Sequence, residues 1–310
     1  VSKRIVLTWH VEEGTGPMLL RVFLRHYKHL SKRALAAVKF SGGQLLVNGT
    51  VVTVRAVVQA GDLVEVHLPP EERSESLVPE HVALDVVYED EHLMVVNKSS
   101  EMLTIPSRKH PTGSLAQAVI GHYEKSGIHA TFHPVNRLDR GTSGLLTIAK
   151  HRYAHERMQT SQKSGNLKRQ YVAVIQGTLQ RATGRIEAPI GRNPSSIIER
   201  QVRDDGKQAI THYQTLAKSA SHALVELTLE TGRTHQIRVH LSWLGHPLLG
   251  DDLYGGDVSL LSRQALHCHR LSLVHPITKE EMRFQTPLPG DMQHCLGELG
   301  LHDSLKERGF

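Results

Sequence analysis

In the stretch HPVNRLDRGTSGLL, residues 133–146, a single carboxylate, Asp139, stands between Arg137 and Arg140, just ahead of the turn formers Gly141, Thr142, Ser143 and Gly144. Guanidinium groups this close favour the ionised carboxylate, which can act as nucleophile, general base or metal ligand. Metal ligation fits worst, because the arginines oppose a cation and no second acid follows at ligand spacing. On residue type alone a structural role weighs as much: an Asp ahead of a turn commonly braces it, here through Thr142 and Ser143. Leu138 interrupts the charges, and LLTIA at 145–149 reads as a buried strand. The charged loop is therefore mounted on the core, a common setting for sites.

The elements that must hold this loop divide the chain. After Pro17, MLLRVFLRHY has apolar residues at helical spacing; a second helix starts at Ser31 as N-cap and stops at Gly42 and Gly43. Lys32, Arg33 and Lys39 make that second helix cationic. Short strands follow, with turns at Asn48-Gly49 and Gly61-Asp62. This outlines an N-terminal unit over 1–68; the polar, proline-bounded PPEERSESLVPE at 69–80 reads as a linker with little to bury. Residues 81–290 are strand-rich. Two apolar strands flank the acidic turn at 89–92, SLAQAVIGHYEKSG is an amphipathic helix closed by Gly127, and RQYVAVIQG, QAITHYQTLAKS and HALVELTLE are strands. Helices are predicted in RYAHERMQTSQKSG and GRTHQIRVHLSWLG. Strands in adjacent pairs predict an α+β domain: a mixed, largely antiparallel sheet with flanking helices. Residues 291–310 are left as a C-terminal tail.

Composition narrows the function classes. The 310 residues suffice for two domains, and 39% hydrophobic content with no apolar run of membrane-spanning length argues against a membrane protein. VSKRIVLTWHVEEG alternates like a strand and lacks the pattern of a signal peptide, so a cytoplasmic location is expected. Only Cys268 and Cys295 are present, which disfavours a disulfide framework. A net charge of +6 and a pI near 9.3 suggest a polyanionic partner. The densest histidine run, HCHRLSLVH at 267–275, lacks the cysteine pairs or helical His-Glu-x-x-His of a zinc site. Thr142-Ser143-Gly144 is not a nucleophile elbow, and no Gly-Lys-Ser/Thr phosphate loop occurs.

The motifs together resemble the RluA-like pseudouridine synthases. NRLDRGTSGLLTIA at 136–149 is similar to the motif that carries that family's catalytic aspartate, and KRQYVAVIQG at 168–177 to the one that carries its active-site tyrosine. LTLETGRTHQIRVHLSWLGHPLLGDDLYGG at 227–256 resembles the motif that supplies the arginine partner, and ALHCHRLSLVHPITKEEMRFQTPLP at 265–289 the closing strands. The resemblance implies Asp139 as the catalytic carboxylate, Tyr171 stacking on uracil, Arg238 as partner of Asp139, and Arg137 replacing a flipped uridine in the stack. Asn136 departs from the family's usual histidine, and Cys268 from its usual alanine. Residues 17–68 resemble the RNA-binding domain of small-subunit ribosomal protein four, through Ser31-Lys32-Arg33, Val47-Asn48-Gly49 and GDLVEV at 61–66.

These resemblances imply a cofactor-free, metal-free isomerase acting on RNA, with large-subunit ribosomal RNA the leading substrate and transfer RNA the second. A monomer is expected. Lys32, Arg33, Lys39 and Arg140 are the expected phosphate contacts. Helical spacing in GRTHQIRVHL would let Arg238 reach inward and pair bidentately with Asp139. Without the resemblance, Arg238 would read as a surface cation and Tyr171 as a core tyrosine. The rival from another class is a noncatalytic RNA-binding or ribosome-assembly factor of the same architecture.

Overall fold

In a computed structural model, which describes residues 5–75 and 77–302, strands pair mostly antiparallel. The N-terminal unit is a four-stranded sheet of β1 (Val6–His10), β4 (Leu63–His67), β2 (Gln44–Val47) and β3 (Thr50–Val51), in that order. Asn48 and Gly49 both take positive φ, 51° and 76°, as a two-residue hairpin between β2 and β3 demands. Helix α1 (Lys32–Phe40) is capped by Ser31, whose side chain accepts from the Ala34 amide at 3.1 Å. The helix expected over MLLRVFLRHY is shorter and irregular: Met18–Leu19 is extended, and Phe23–Tyr27 winds as a π-turn.

The larger unit is built on a ten-stranded mixed sheet. Its main path runs β9 (Thr183–Glu187), β12 (Ile210–Lys218), β13 (His222–Leu229), β8 (Lys168–Gln176), β14 (Leu266–Val274), β7 (Ser143–Ala149), β6 (Leu93–Lys98), β5 (Val86–Glu89). Every pairing on the path is antiparallel except β7 with β14, which is parallel over Ser143 and Gly144. A small hairpin of β10 (Ile190–Arg192) and β11 (Arg200–Val202) stands apart, and β15 (Glu281–Gln285) extends β14. Helices α2 (Leu115–Lys125) and α3 (Arg152–Lys163) cover one face; their Leu115, Val119, Ala154 and Met158 join Leu145, Ala173 and Val225 in the main core. α4 (Gln236–Trp243) follows β13. The mixed, largely antiparallel α+β reading holds for this unit.

The segment expected to be a linker, 69–80, is held to its neighbours. Glu71 accepts from the Arg152 amide at 2.7 Å and pairs with His133 at 2.7 Å; Arg73 donates to the carbonyls of Ala130 and Ile128. Hydrogen bonds from His133 and the Arg152 amide outweigh burial and hold the Glu71 carboxyl down at about 2. Tyr153 of α3 sits in the N-terminal core, edge-on to Trp9, and donates to the Lys28 carbonyl at 2.7 Å. The residues expected to be a tail begin as a helix instead: α5 (Gly290–Glu298) buries Met292, Cys295 and Leu296 against Val172, Val174 and Leu224 on the second face of the sheet. The outermost parts of the expected N-terminal unit and tail, 1–4 and 303–310, and linker residue 76, lie outside the described residues. No helix among those described is long and apolar enough to cross a membrane.

Candidate active site

The loop carrying Asp139 is held by backbone contacts on every side. Thr104 Oγ1 donates to the Leu138 carbonyl at 2.8 Å and accepts from its amide at 3.2 Å. From the far end of the chain, Gln264 Nε2 donates to the Arg140 carbonyl at 2.7 Å and Arg263 to the Gly141 carbonyl at 2.8 Å. Gly144, at φ 113°, lies where β7 and β14 run parallel, and a Cβ there would collide with the Cys268 backbone. Asn136, at the position usually histidine in the resembled family, braces the same loop by accepting from the Thr147 amide at 3.2 Å.

Asp139 does not brace its own turn. Only its backbone carbonyl accepts from the Thr142 amide, at 3.1 Å. Its carboxylate, 28% exposed, has Arg238 Nη1 at 3.6 Å and His235 Nε2 at 4.0 Å, both beyond good hydrogen-bond length. The bidentate pairing expected between Asp139 and Arg238 is absent. The guanidinium fork is occupied instead by Asp251, with Nε to Oδ2 and Nη2 to Oδ1 both 2.7 Å, and it lies over the Tyr254 ring at 4.9 Å. The side chain of Asp251 is fully buried, so the fork is locked and Nη1 alone is left to face Asp139. Burial opposes the Arg238 charge, but the hydrogen bonds it donates to Asp251 outweigh that and push its pKa up.

His235 sits at the entry to α4 in the left-handed region, φ 58°. Tyr254 Oη lies 2.8 Å from its Nδ1 and accepts from the Arg200 amide at 3.0 Å, so the hydroxyl hydrogen is free to bond Nδ1. With Tyr254 as the donor, a neutral imidazole carries its hydrogen on Nε2, the nitrogen that faces Asp139. Burial lowers the pKa of His235, against the pull of Asp139. Sequence reasoning missed His235, Tyr254 and Asp251 as site residues.

Asp139, Arg238, Tyr171 and Arg137 line one cavity of about 340 Å³. Tyr171 is 4% exposed on β8, and burial pushes its phenol well above the ordinary range, so it presents a neutral ring. Arg137 is exposed beside the carboxylate. Arg140 turns away and donates to His110 at 2.9 Å. Lys32, Arg33 and Lys39 are exposed on α1, and none of them lines the cavity. The histidines of the 267–275 run diverge: His267 bonds Ser143, His269 pairs with Glu226 and His275 with Asp90. No group of three potential ligands that could hold a metal occurs among the described residues.

The cavity therefore offers a carboxylate without a hydrogen bond of its own, a cation held beside it and a flat aromatic wall. A family model described as RNA pseudouridylate synthase matches residues 92–243, which contain all of these groups. The uncharacterized RNA pseudouridine synthase YjbO of Bacillus subtilis is 52% identical over 267 residues, covering 86% of this chain and 94% of the relative. The chain belongs to the RNA pseudouridine synthase family. Ribosomal large subunit pseudouridine synthase D of Vibrio parahaemolyticus is 36% identical over 310 residues, 94% of each chain. Among solved structures, human RNA pseudouridylate synthase domain containing 1 superimposes with a TM-score of 0.55 at 26% identity, over 70% of this chain and 86% of that one. As a synthase of this family, the chain keeps its candidate groups in one cavity although they come from positions 139, 171 and 238.

Proposed function

We propose that the protein isomerises uridine to pseudouridine in structured RNA, large-subunit ribosomal RNA first, with Asp139 as the reacting carboxylate. The observation that carries this is the Asp139 carboxylate itself: it opens on the cavity with Arg238 Nη1 behind it and Tyr171 in the same wall. The reaction breaks the bond between ribose C1′ and uracil N1 and forms one between C1′ and C5; N1 gains a proton and C5 loses one. Asp139 serves either by attacking C1′ or by removing a ribose proton. Both routes need a carboxylate aimed at the sugar, and the Asp251-locked Arg238 supplies the aim. Tyr171 stacks on the base. In this reading a uridine leaves its helix to enter the cavity, and Arg137, exposed in its lining, fills the gap it leaves.

In this reading 81–290 is the catalytic domain and 1–68 an RNA-binding domain of the ribosomal-protein-four type, with Lys32, Arg33 and Lys39 on α1 as its phosphate contacts. Relatives named as large-subunit synthases support the choice of ribosomal RNA over transfer RNA. The test is incubation of unmodified large-subunit ribosomal RNA with the protein in EDTA, followed by position-by-position mapping of pseudouridine. Transfer RNA is run in parallel. Pseudouridine in neither RNA would sink the assignment.

A further inference from the structure

Two buried arginines line the cavity, and only one has its charge answered. Arg238 holds Asp251 and faces Asp139. Arg169 lies on β8 two positions before Tyr171, hence on the same face of the strand, and is 6% exposed. Among the described residues its side chain has no carboxylate at ion-pair distance and no hydrogen bond, and its Nε is sealed from solvent without an acceptor. The loop opposite approaches it with a glycine: a Cβ on Gly232 would lie 3.2 Å from Arg169 Nη2 and 3.7 Å from Gln162 Nε2. Gln162 and Arg233 also line the cavity, whose one acid among the described lining residues is Asp139. A second buried donor belongs to the lining of the same cavity. The Asn136 amide is fixed by Oδ1 accepting from Thr147, and its buried Nδ2 has no acceptor.

A buried guanidinium without a counter-charge is a strong demand for an anion. Base and ribose oxygens are neutral acceptors and cannot answer it; a phosphodiester carries a full charge and a pair of oxygens that match the guanidinium fork. An RNA strand brings such a group on either side of any nucleotide it places in the cavity. Resting on the proposed reaction, we infer that Arg169 binds a backbone phosphate flanking the uridine held by Asp139 and Tyr171, with Asn136 as a neutral donor beside it. This contact is made by a buried guanidinium, where charge pairing is strong, unlike the solvated lysines of α1.

The test measures binding of a stem-loop RNA spanning the mapped uridine, in the Asp139→Asn protein so that turnover does not intrude. Arg169→Gln should weaken affinity about tenfold and lower the slope of log affinity against log salt by roughly 0.7 to 0.9, while Arg169→Lys recovers part of both. RNAs carrying one neutral methylphosphonate at a time should reveal one linkage beside the target where the Arg169 protein loses affinity and Arg169→Gln does not. The melting temperature of free Arg169→Gln should stay level or rise, because an unanswered buried charge is gone. Unchanged affinity and slope, or a loss of affinity with lowered melting temperature and no linkage that stops mattering, overturns the inference. Failure of the unsubstituted protein to make pseudouridine strikes the proposed reaction instead. Pseudouridine formation together with unaffected Arg169→Gln binding strikes only the phosphate site.

Discussion

The cations of α1 and those of the cavity differ in kind, although both face RNA in the proposed reaction. Lys32, Arg33 and Lys39 are exposed, and the nearest partner Lys39 finds is the ring of its neighbour Phe40, at 4.5 Å. Charges of this sort act by number, through counterion release, and are screened by salt. Arg238 is 6% exposed and its fork is spent on Asp251. It can attract little more, but it can hold Asp139 in one direction. In the proposed reaction the α1 cations that hold the RNA and the Arg238 that aims the carboxylate are thus in opposite states of solvation. Substitutions in the two regions should separate affinity from turnover.

The largest effect is expected at Asp139. Asp139→Asn keeps the shape and removes the charge, so single-turnover isomerisation should fall by ~10⁴ or more, with RNA affinity equal or slightly higher. Substantial activity, after excluding deamidation back to Asp, would remove Asp139 from the chemistry and erase the contrast between the regions. Next comes the pair behind it. Asp251→Asn frees the Arg238 fork and leaves a buried cation half answered; turnover should drop by ~10- to 100-fold and stability by about 3 kcal/mol, read by denaturant titration. Arg238→Met should also impair turnover, and in the Asp139→Asn background it should add nothing, because its effect passes through the carboxylate. A fully active Arg238→Met would show that aim comes from elsewhere.

The α1 cations should show the reverse pattern. Replacing Lys32, Arg33 and Lys39 together by Gln should lower the salt slope of RNA binding by about two to three, with the loss seen in affinity rather than in the maximal single-turnover rate. An unchanged slope would mean that the N-terminal unit is not an electrostatic clamp. Charge substitution is a cleaner probe than truncation here, since deleting the unit would strip Tyr153 of its core partners and Glu71 of its place beside Arg152.

What could be read from the sequence followed locality. Ser31, Asn48-Gly49 and the acidic turn at 89–92 act within a few residues, and each sits where its type predicts. Asp139 and Tyr171 were legible because their neighbours resemble known motifs. Asp251 was not: it reaches Arg238 from 13 positions away through an irregular loop, and no periodicity marks it. The clamp of Arg263 and Gln264 on the Asp139 loop joins residues more than 120 apart, and Glu71 of the expected linker contacts positions over 60 away. Two signals were present but unread. Met292, Cys295, Leu296 and Leu299 have helical spacing, and period-two alternation on β8 puts Arg169 beside Tyr171.

A third state of cation lies within the field of Asp139 and should give the smallest effect on turnover. Lys98 is 1% exposed, and its Nζ donates to the carbonyls of Ser99 and Met102 at 2.7 and 2.8 Å. Burial pushes its pKa down to about 7 from 10.5, with Asp139 pulling the other way and Arg263 adding to the fall. Below the folded pKa both folded and unfolded chains carry the proton, and the full penalty of a buried charge is present. Between about 7 and 10.5 the unfolded chain holds the proton and the folded one releases it, so stability climbs with pH, by ~1.4 kcal/mol per unit at most from this one group. Lys98→Met should flatten that rise. Denaturant titrations from pH 6 to 9 on both proteins would measure it, and equal slopes would mean that Lys98 stays charged, its two carbonyls and the Asp139 field sufficing to hold the proton.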